Sequence, residues 1–264
     1  MHPILFSIGD FDIHTYGFLG AVGFLVTVAI SIWRARQADI SSDAVVDVIF
    51  WAAIGGVIGA RGLWVLQNPE LAPGPAQWVN LRMGGLVFYG ALLLGVPAAL
   101  LAMWRKKVPI LVLCDAFACA LPIGHGISRL GCFFAGCCYG TPTDLPWAVT
   151  FGETLADAPL GVALHPTQLY EAGLLFGLAG VVNLVHSRKR HHGASLQAYL
   201  GLYAILRFVV EFVRGDATRG YFWESVLGPS LSMSQGLALG FLILVAVAWI
   251  PLSKMRFHQD SQPL

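Results

Sequence analysis

Apolar residues in this chain run in long blocks broken by short polar or basic segments. The blocks cover residues 16–33, 44–66, 84–104, 108–127, 167–186, 196–214 and 227–252. Most exceed the ~18 residues that mark a membrane helix rather than a buried core helix. The strict alternation of a membrane β-barrel is absent. The pattern therefore predicts an all-α polytopic membrane protein with seven transmembrane helices. Every connection is short except 128–166, which carries Gly, Pro and Trp with little periodicity. It is expected to form a small extramembrane cap between spans 4 and 5. No internal repeat interrupts the chain, so residues 1–264 are expected to form one membrane domain.

Composition agrees with the pattern. Of 264 residues, 56% are hydrophobic and only 12% charged, and mean hydropathy is +0.69. Soluble domains carry about a quarter charged residues, and disordered chains need low hydrophobicity with high charge. Both classes are excluded. The net charge of +1 offers no basic surplus for nucleic acid.

The basic residues predict orientation. Arg34, Arg36, Arg105, Lys106, Lys107, Arg188, Lys189, Arg190, Lys254 and Arg256 put ten charges on one side. Arg61, Arg82, Arg129, Arg207, Arg214 and Arg219 put six on the other. The first set is expected in the cytoplasm, with the N-terminus and the 128–166 cap in the periplasm. The N-terminus has no basic n-region, so span 1 is expected to be retained.

Charge within hydrocarbon is costly and marks functional candidates. In span 6, Arg207, Glu211 and Arg214 fall at i, i+4 and i+7, on one helical face. Arg207 and Glu211 can pair, either as a structural lock or as part of a site. The face keeps one arginine in excess, and such a guanidinium fits the phosphate of an anionic lipid with its two-pronged fork. Arg129 stands at the outer end of span 4 in a glycine-containing stretch, either anchoring at the headgroups or serving a site. Arg61 is a weaker candidate of the same kind.

Five cysteines are present. Cys114 and Cys119 suit packing, whereas Cys132, Cys137 and Cys138 form C-x4-C-C at the outer boundary. A disulfide or plain packing is favoured there over a zinc site with His125 or His165, because the spacing is not a standard ligand pattern. His165-Pro166-Thr167 with Glu171 reads as a helix start, with Thr167 as the cap.

Taken together, the motifs resemble the prolipoprotein diacylglyceryl transferase family of bacterial inner membranes. The resemblance runs almost end to end. It includes Ile4-Leu5-Phe6-Ser7-Ile8-Gly9 with Tyr16-Gly17, and Gly59-Ala60-Arg61-Gly62. It continues through Gly84-Gly85-Leu86-Val87-Phe88-Tyr89-Gly90, and Arg129-Leu130-Gly131 with Gly140. His165 through Glu171, and Tyr203 through Arg207, Glu211 and Arg214, complete it. The family usually has His, its proposed base, where this chain has Tyr89. Its signature continues with Asn, Asn and Glu where this chain has Cys132, Ala135 and Cys137.

The resemblance implies transfer of the diacylglyceryl group of phosphatidylglycerol to the lipobox cysteine of a prolipoprotein. It implies Arg129, Arg207, Tyr89 and Glu211 in the catalytic centre. Tyr16, Arg61, Cys132, Gly140, His165, Tyr203 and Arg214 are then expected around the substrate. No metal or organic cofactor is expected. Two alternatives stay open: a related lipid-modifying enzyme with another donor or acceptor, and a non-enzymatic anionic-lipid binder or transporter. The lack of a repeat and of paired broken helices speaks against transport.

Overall fold

The computed structural model describes residues 3–9, 11–80, 84–189, 191–216 and 232–254. Arg82, Arg190, Arg219, Arg256 and the expected first residues of the last span, 227–231, lie outside them. Among the described residues, six helices are long and apolar enough to cross a membrane. They are α1 (Thr15–Arg36), α2 (Ser42–Gln67), α4 (Phe88–Arg105), α5 (Ile110–Ala135), α6 (Thr167–Arg188) and α7 (Ala194–Val210). A 3-10 turn, Glu211–Val213, continues α7. A seventh apolar helix, α8, covers Met233–Lys254, and a short helix α3, Pro75–Val79, sits between α2 and α4. Leu25, Phe50, Leu93, Leu184 and Ile243 are exposed on these helices. Such a continuous apolar exterior is costly in water and natural in lipid.

Among the described residues, two pairs of short strands accompany the helices. Strands β1 (Ile4–Ile8) and β2 (Phe11–His14) pair antiparallel immediately before α1. Strands β3 (Val149–Thr150) and β4 (Ala163–Leu164) pair antiparallel within the cap. Neither pair is expected from the apolar blocks, because both are too short to carry a periodic signal.

The chain divides into two compact units. The smaller, Ser31–Leu113, is built on α2 and α4. Without a hydrophobic drive between helices in lipid, close backbone packing holds such a pair together. Gly59 and Gly90 meet backbone to backbone: a Cβ on either would collide with the other's carbonyl. Gly55 opposes Leu94 and Ala98, and Gly95 opposes Ala52 and Gly56. Partner numbers fall as α2 numbers rise, so the helices run antiparallel. Arg61, on α2, is 5% exposed and stacks its guanidinium 4.3 Å from the Trp64 ring. Its Nε donates to the Trp78 carbonyl, Nη1 to Gly84 and Gly85, and Nη2 to Gln77 and Asn80, at 2.5–3.0 Å. These five bonds use all the N–H groups a guanidinium has. Arg61, expected near a lipid headgroup, instead braces the segment after α2. Phe88 begins α4, so the glycine pair expected at the start of span 3 precedes the helix in non-helical backbone. Gly84 and Gly85 adopt positive φ there.

The larger unit joins Met1–Ile30 to Cys114–Leu264. Its core joins Ala118 and Cys119 of α5, Leu175, Leu178 and Val182 of α6, and Leu206 and Val210 of α7, all buried. Gly23 of α1 and Gly124 of α5 cross with their backbones in close approach. Asp115, wholly buried on α5, caps the start of α7 from across the bundle. Its carboxylate accepts N–H bonds from Gly193, Ser195 and Leu196 at 2.9–3.1 Å and pairs with Lys189 at 2.8 Å. Four donors on one carboxylate satisfy a helix start that its own chain leaves uncapped.

Helix α5 runs eight residues past the expected end of span 4 at residue 127. Residues 128–135, expected in the cap, are therefore helical, and the cap begins at Gly136. Gly136, at φ +77°, supplies the left-handed residue that ends the helix. Its N–H bonds the Phe133 carbonyl at 3.3 Å, and the Cys137 N–H bonds the Cys132 carbonyl at 3.2 Å. This is the paired closure of a Schellman turn. Phe151, Ala158 and Leu164 form the small core of the cap.

Candidate active site

Three helices of the larger unit bring their charged residues to its interior. Arg129 lies three turns beyond Cys119 on α5. Glu171 lies one turn before Leu175 on α6, and Arg207 follows core residue Leu206 on α7. Packing of the shared core thus places ionic groups that would otherwise meet lipid. Arg129 Nε lies 3.1 Å from Glu171 Oε2. The N–H does not align into a hydrogen bond, so this is a charge contact. Arg207 Nη2 lies 2.7 Å from Glu211 Oε2 and donates to Ser234 Oγ at 3.1 Å. The four ionic side chains are 14% exposed or less.

The pairs are incompletely satisfied. Arg207 Nη1 and Glu171 Oε1 are buried with no hydrogen-bond partner among the described residues. A buried donor left unpaired costs about 1–3 kcal/mol, more when charged. An arginine held by one carboxylate with a second nitrogen unsatisfied is arranged to receive an anionic oxygen. Tyr203, on α7, stacks on Tyr199 and packs 5.5 Å from the ring of His125. Both groups are in electrostatic reach of Arg129. Tyr16, at the start of α1, has its backbone against Gly131.

The cap supplies a second cluster. The Schellman turn folds Cys137 and Cys138 back over Cys132, so their three sulfur atoms lie within 4.8 Å of one another. Cys138 is held at φ +57°, an uncommon conformation for a non-glycine residue. Its carbonyl accepts a 2.6 Å bond from Thr167 Oγ1, and the Cys137 carbonyl accepts 2.7 Å from Gln168 Nε2. Both donors are buried on the first turn of α6. Arg129 Nη1 donates to Cys138 Sγ at 3.4 Å and Arg214 Nη2 donates to the same sulfur at 3.3 Å. Hydrogen bonds from the Cys132 and Cys137 thiols, then the Arg214 and Arg129 charges, hold the Cys138 thiol well below its usual range. Hydrogen bonds with Cys132 and Cys138 push Cys137 up.

Several expectations change. Arg214 is not on the α7 face with Arg207 and Glu211, because the helix ends at Val210 and Arg214 is extended at ψ 136°. Nor is it the surplus cation: its Nε and Nη2 fork onto the Asp216 carboxylate at 2.5 and 2.8 Å. Thr167 does not cap α6. Pro166 holds that position, and the Thr167 hydroxyl secures the cysteine turn instead. Gly140 joins the end of α7 to the cap: its N–H bonds the His165 carbonyl at 3.0 Å and it bridges Arg214 in antiparallel fashion. A Cβ there would lie 2.5 Å from that of His165 and 2.6 Å from the His165 oxygen, so only glycine fits. His165 Nδ1 faces the Tyr170 hydroxyl at 3.3 Å, which accepts from Trp147 Nε1 at 2.7 Å. Tyr89 is the second residue of α4 in the smaller unit, exposed and edge-on to Phe88.

Glu171 and Cys138 are candidate site residues that sequence reasoning left out. Glu171 is visible as a carboxylate inside an apolar block, but reads as a helix-start charge. Cys138 becomes distinct only once the turn is formed.

A polytopic α-helical membrane protein that holds two arginine–carboxylate pairs inside its helices and roofs them with a small cap defines the class. The family described as prolipoprotein diacylglyceryl transferase matches residues 3–251, and the chain belongs to that family. The chain is 30% identical to the phosphatidylglycerol–prolipoprotein diacylglyceryl transferase of Finegoldia magna, over 99% of this chain and 100% of the relative. It is 32% identical to the protein of that name from Clostridioides difficile, over 99% and 100%. To that of Geobacter sulfurreducens it is 34% identical, over 92% of each chain.

Proposed function

We propose that this protein transfers the diacylglyceryl group of phosphatidylglycerol to the cysteine thiol of a prolipoprotein. The observation that carries this is the buried Arg207 Nη1, fixed by Glu211 on a neighbouring nitrogen and lacking a partner of its own among the described residues. In the reaction a thiolate displaces the phosphate ester oxygen at a glycerol carbon. The carbon–oxygen bond breaks and glycerol phosphate departs with the electron pair. Negative charge grows on the leaving phosphate, where fixed cationic donors in a dry site stabilise it most. Arg207 and Arg129 serve this role. Glu211 and Glu171 hold the two forks in position, and Arg214, fixed by Asp216, holds the Cys138 sulfur of the cap. The acyl tails stay in lipid, so only the headgroup needs a polar cavity.

Family membership supports this donor and acceptor through the names of the relatives. A different acceptor is the second reading, favoured by Tyr89 at the position of the family's usual histidine. Depleting the protein in its own cells distinguishes them. Diacylglyceryl-modified lipoproteins are expected to fall and unprocessed precursors to accumulate, read by mass spectrometry of membrane proteins. An unchanged lipoprotein pool with an altered membrane lipid profile would instead select another acceptor.

The site is expected at the periplasmic side of the bacterial inner membrane, following the ten-to-six division of basic residues. A phosphatase fused after Gln259, active only when exported, is expected to stay silent. Full activity there would invert the topology.

A further inference from the structure

We propose that Cys132, Cys137 and Cys138 form a three-thiolate site for zinc(II), and that its open fourth position takes the acceptor thiol. The three sulfurs lie within 4.8 Å of one another. Three thiolates of a tetrahedral zinc, each at about 2.3 Å, stand about 3.8 Å apart. A movement of at most about 1 Å therefore closes the set, within the reach of side-chain rotation. All three cysteines are free thiols, and the turn that assembles them is secured from three directions. These are the Schellman closure at Gly136, the Thr167 and Gln168 bonds to the carbonyls of Cys138 and Cys137, and the left-handed backbone of Cys138. Packing alone does not need a polar brace on each carbonyl.

Charge fits as well. Zinc with three thiolates carries one net negative charge. Arg129 and Arg214 already donate to Cys138 Sγ at 3.4 and 3.3 Å, and Arg129 reaches Cys132 Sγ at 4.0 Å. Such N–H bonds to ligand sulfur are the outer-shell contacts that stabilise and tune thiolate metal sites. Among the described residues no histidine or carboxylate completes the group. Three protein ligands with one open position is the arrangement of a working zinc site rather than a closed structural one.

The use of that position rests on the transferase reading given above. A substrate R–SH binds as the fourth ligand and its proton passes to water at the outer face. The zinc-bound sulfur attacks the glycerol carbon, its carbon–oxygen bond to phosphate breaks, and glycerol phosphate leaves with the electron pair. The product thioether is a weaker ligand than thiolate and is released. Metal activation of the thiol supplies what the family's histidine would supply at the position of Tyr89. It also links the cysteines to the arginines, because Arg129 touches both clusters.

The test uses the full chain in detergent micelles, purified under reducing conditions and titrated with zinc alone. Elemental analysis is expected to find about one zinc per chain in the wild type and in Cys114→Ser. At least a tenfold loss of bound metal is expected in Cys132→Ser and Cys137→Ser. Should those variants fail to insert, cobalt(II) added to the wild type decides the matter through a sulfur-to-cobalt charge-transfer band. No zinc above the detergent blank and no such band, with the thiols reduced, overturns the site. So does a disulfide among the three in protein purified without reductant that resists reduction in the folded state. Transfer to a lipobox peptide is then compared before and after metal removal. Bound zinc with undiminished transfer after its removal overturns the acceptor role. Bound zinc with no transfer in either form leaves the metal site standing and rejects the transferase reading.

Discussion

Replacing Arg207 or Arg129 with alanine is expected to lower transfer 10²–10³-fold while the protein still inserts in the membrane. Each guanidinium is held on a buried carboxylate, at 2.7 Å for Arg207 and 3.1 Å for Arg129. Neither must therefore be ordered when the phosphate charge develops. Removing one such preorganised donor costs about 3–4 kcal/mol of transition-state stabilisation, the stated rate factor. Arg207→Lys keeps the charge and helical propensity, yet is not expected to rescue. An ammonium cannot contact Glu211, Ser234 and a phosphate oxygen through one rigid plane. The lysine variant therefore separates the geometry of the fork from its charge. Turnover near the wild-type rate in both alanine variants, at matched amounts of inserted protein, would remove the two arginines from the chemistry.

The largest effect on stability is expected away from the site. Asp115→Ala leaves Lys189, 15% exposed, without its partner. It also orphans the N–H groups of Gly193, Ser195 and Leu196. Breaking a buried pair from one side costs about 3–5 kcal/mol. Asp115→Asn keeps one carbonyl acceptor and should lose less. Because Asp115 caps the helix that carries Arg207, the alanine variant should also lose activity in proportion to its unfolded fraction. Thermal denaturation in micelles gives the measurement. A loss below about 1 kcal/mol, the ordinary cost of a substitution, would mean that α7 is anchored by its apolar packing alone.

The spans were legible because an uninterrupted apolar run of ~20 residues has few other physical solutions. Their ends were less so. Residues 128–135 contain Ser and Arg and look like the start of a loop, yet the helix persists because Arg129 finds Glu171 on another helix. The stop signal was present at Gly136. Arg214 was placed by carrying helical periodicity past the point where α7 tightens into a 3-10 turn. Gly215 stands one residue beyond, and its N–H bonds the Tyr139 carbonyl at 2.9 Å. Intramembrane charge picked out Arg207 with Glu211 because i and i+4 are neighbours on one helix. The Arg129–Glu171 pair joins two helices 42 residues apart in sequence, and no local pattern encodes it. The cysteines show the same limit: C-x4-C-C matches no standard ligand spacing, but one helix-ending turn brings the three sulfurs together. Arg61 looked like the other outer arginines because its five carbonyl acceptors come from the short helix α3 and the non-helical backbone that follows it. Hydropathy does not describe such backbone.

Purified protein incubated with phosphatidylglycerol and a lipobox peptide tests the central claim most directly. Mass spectrometry is expected to find a thioether-linked diacylglyceryl adduct on the peptide cysteine, with glycerol phosphate released in equal amount. Neither product, under conditions in which the Clostridioides difficile relative forms both, would contradict the claim and leave a lipid-binding membrane protein in its place.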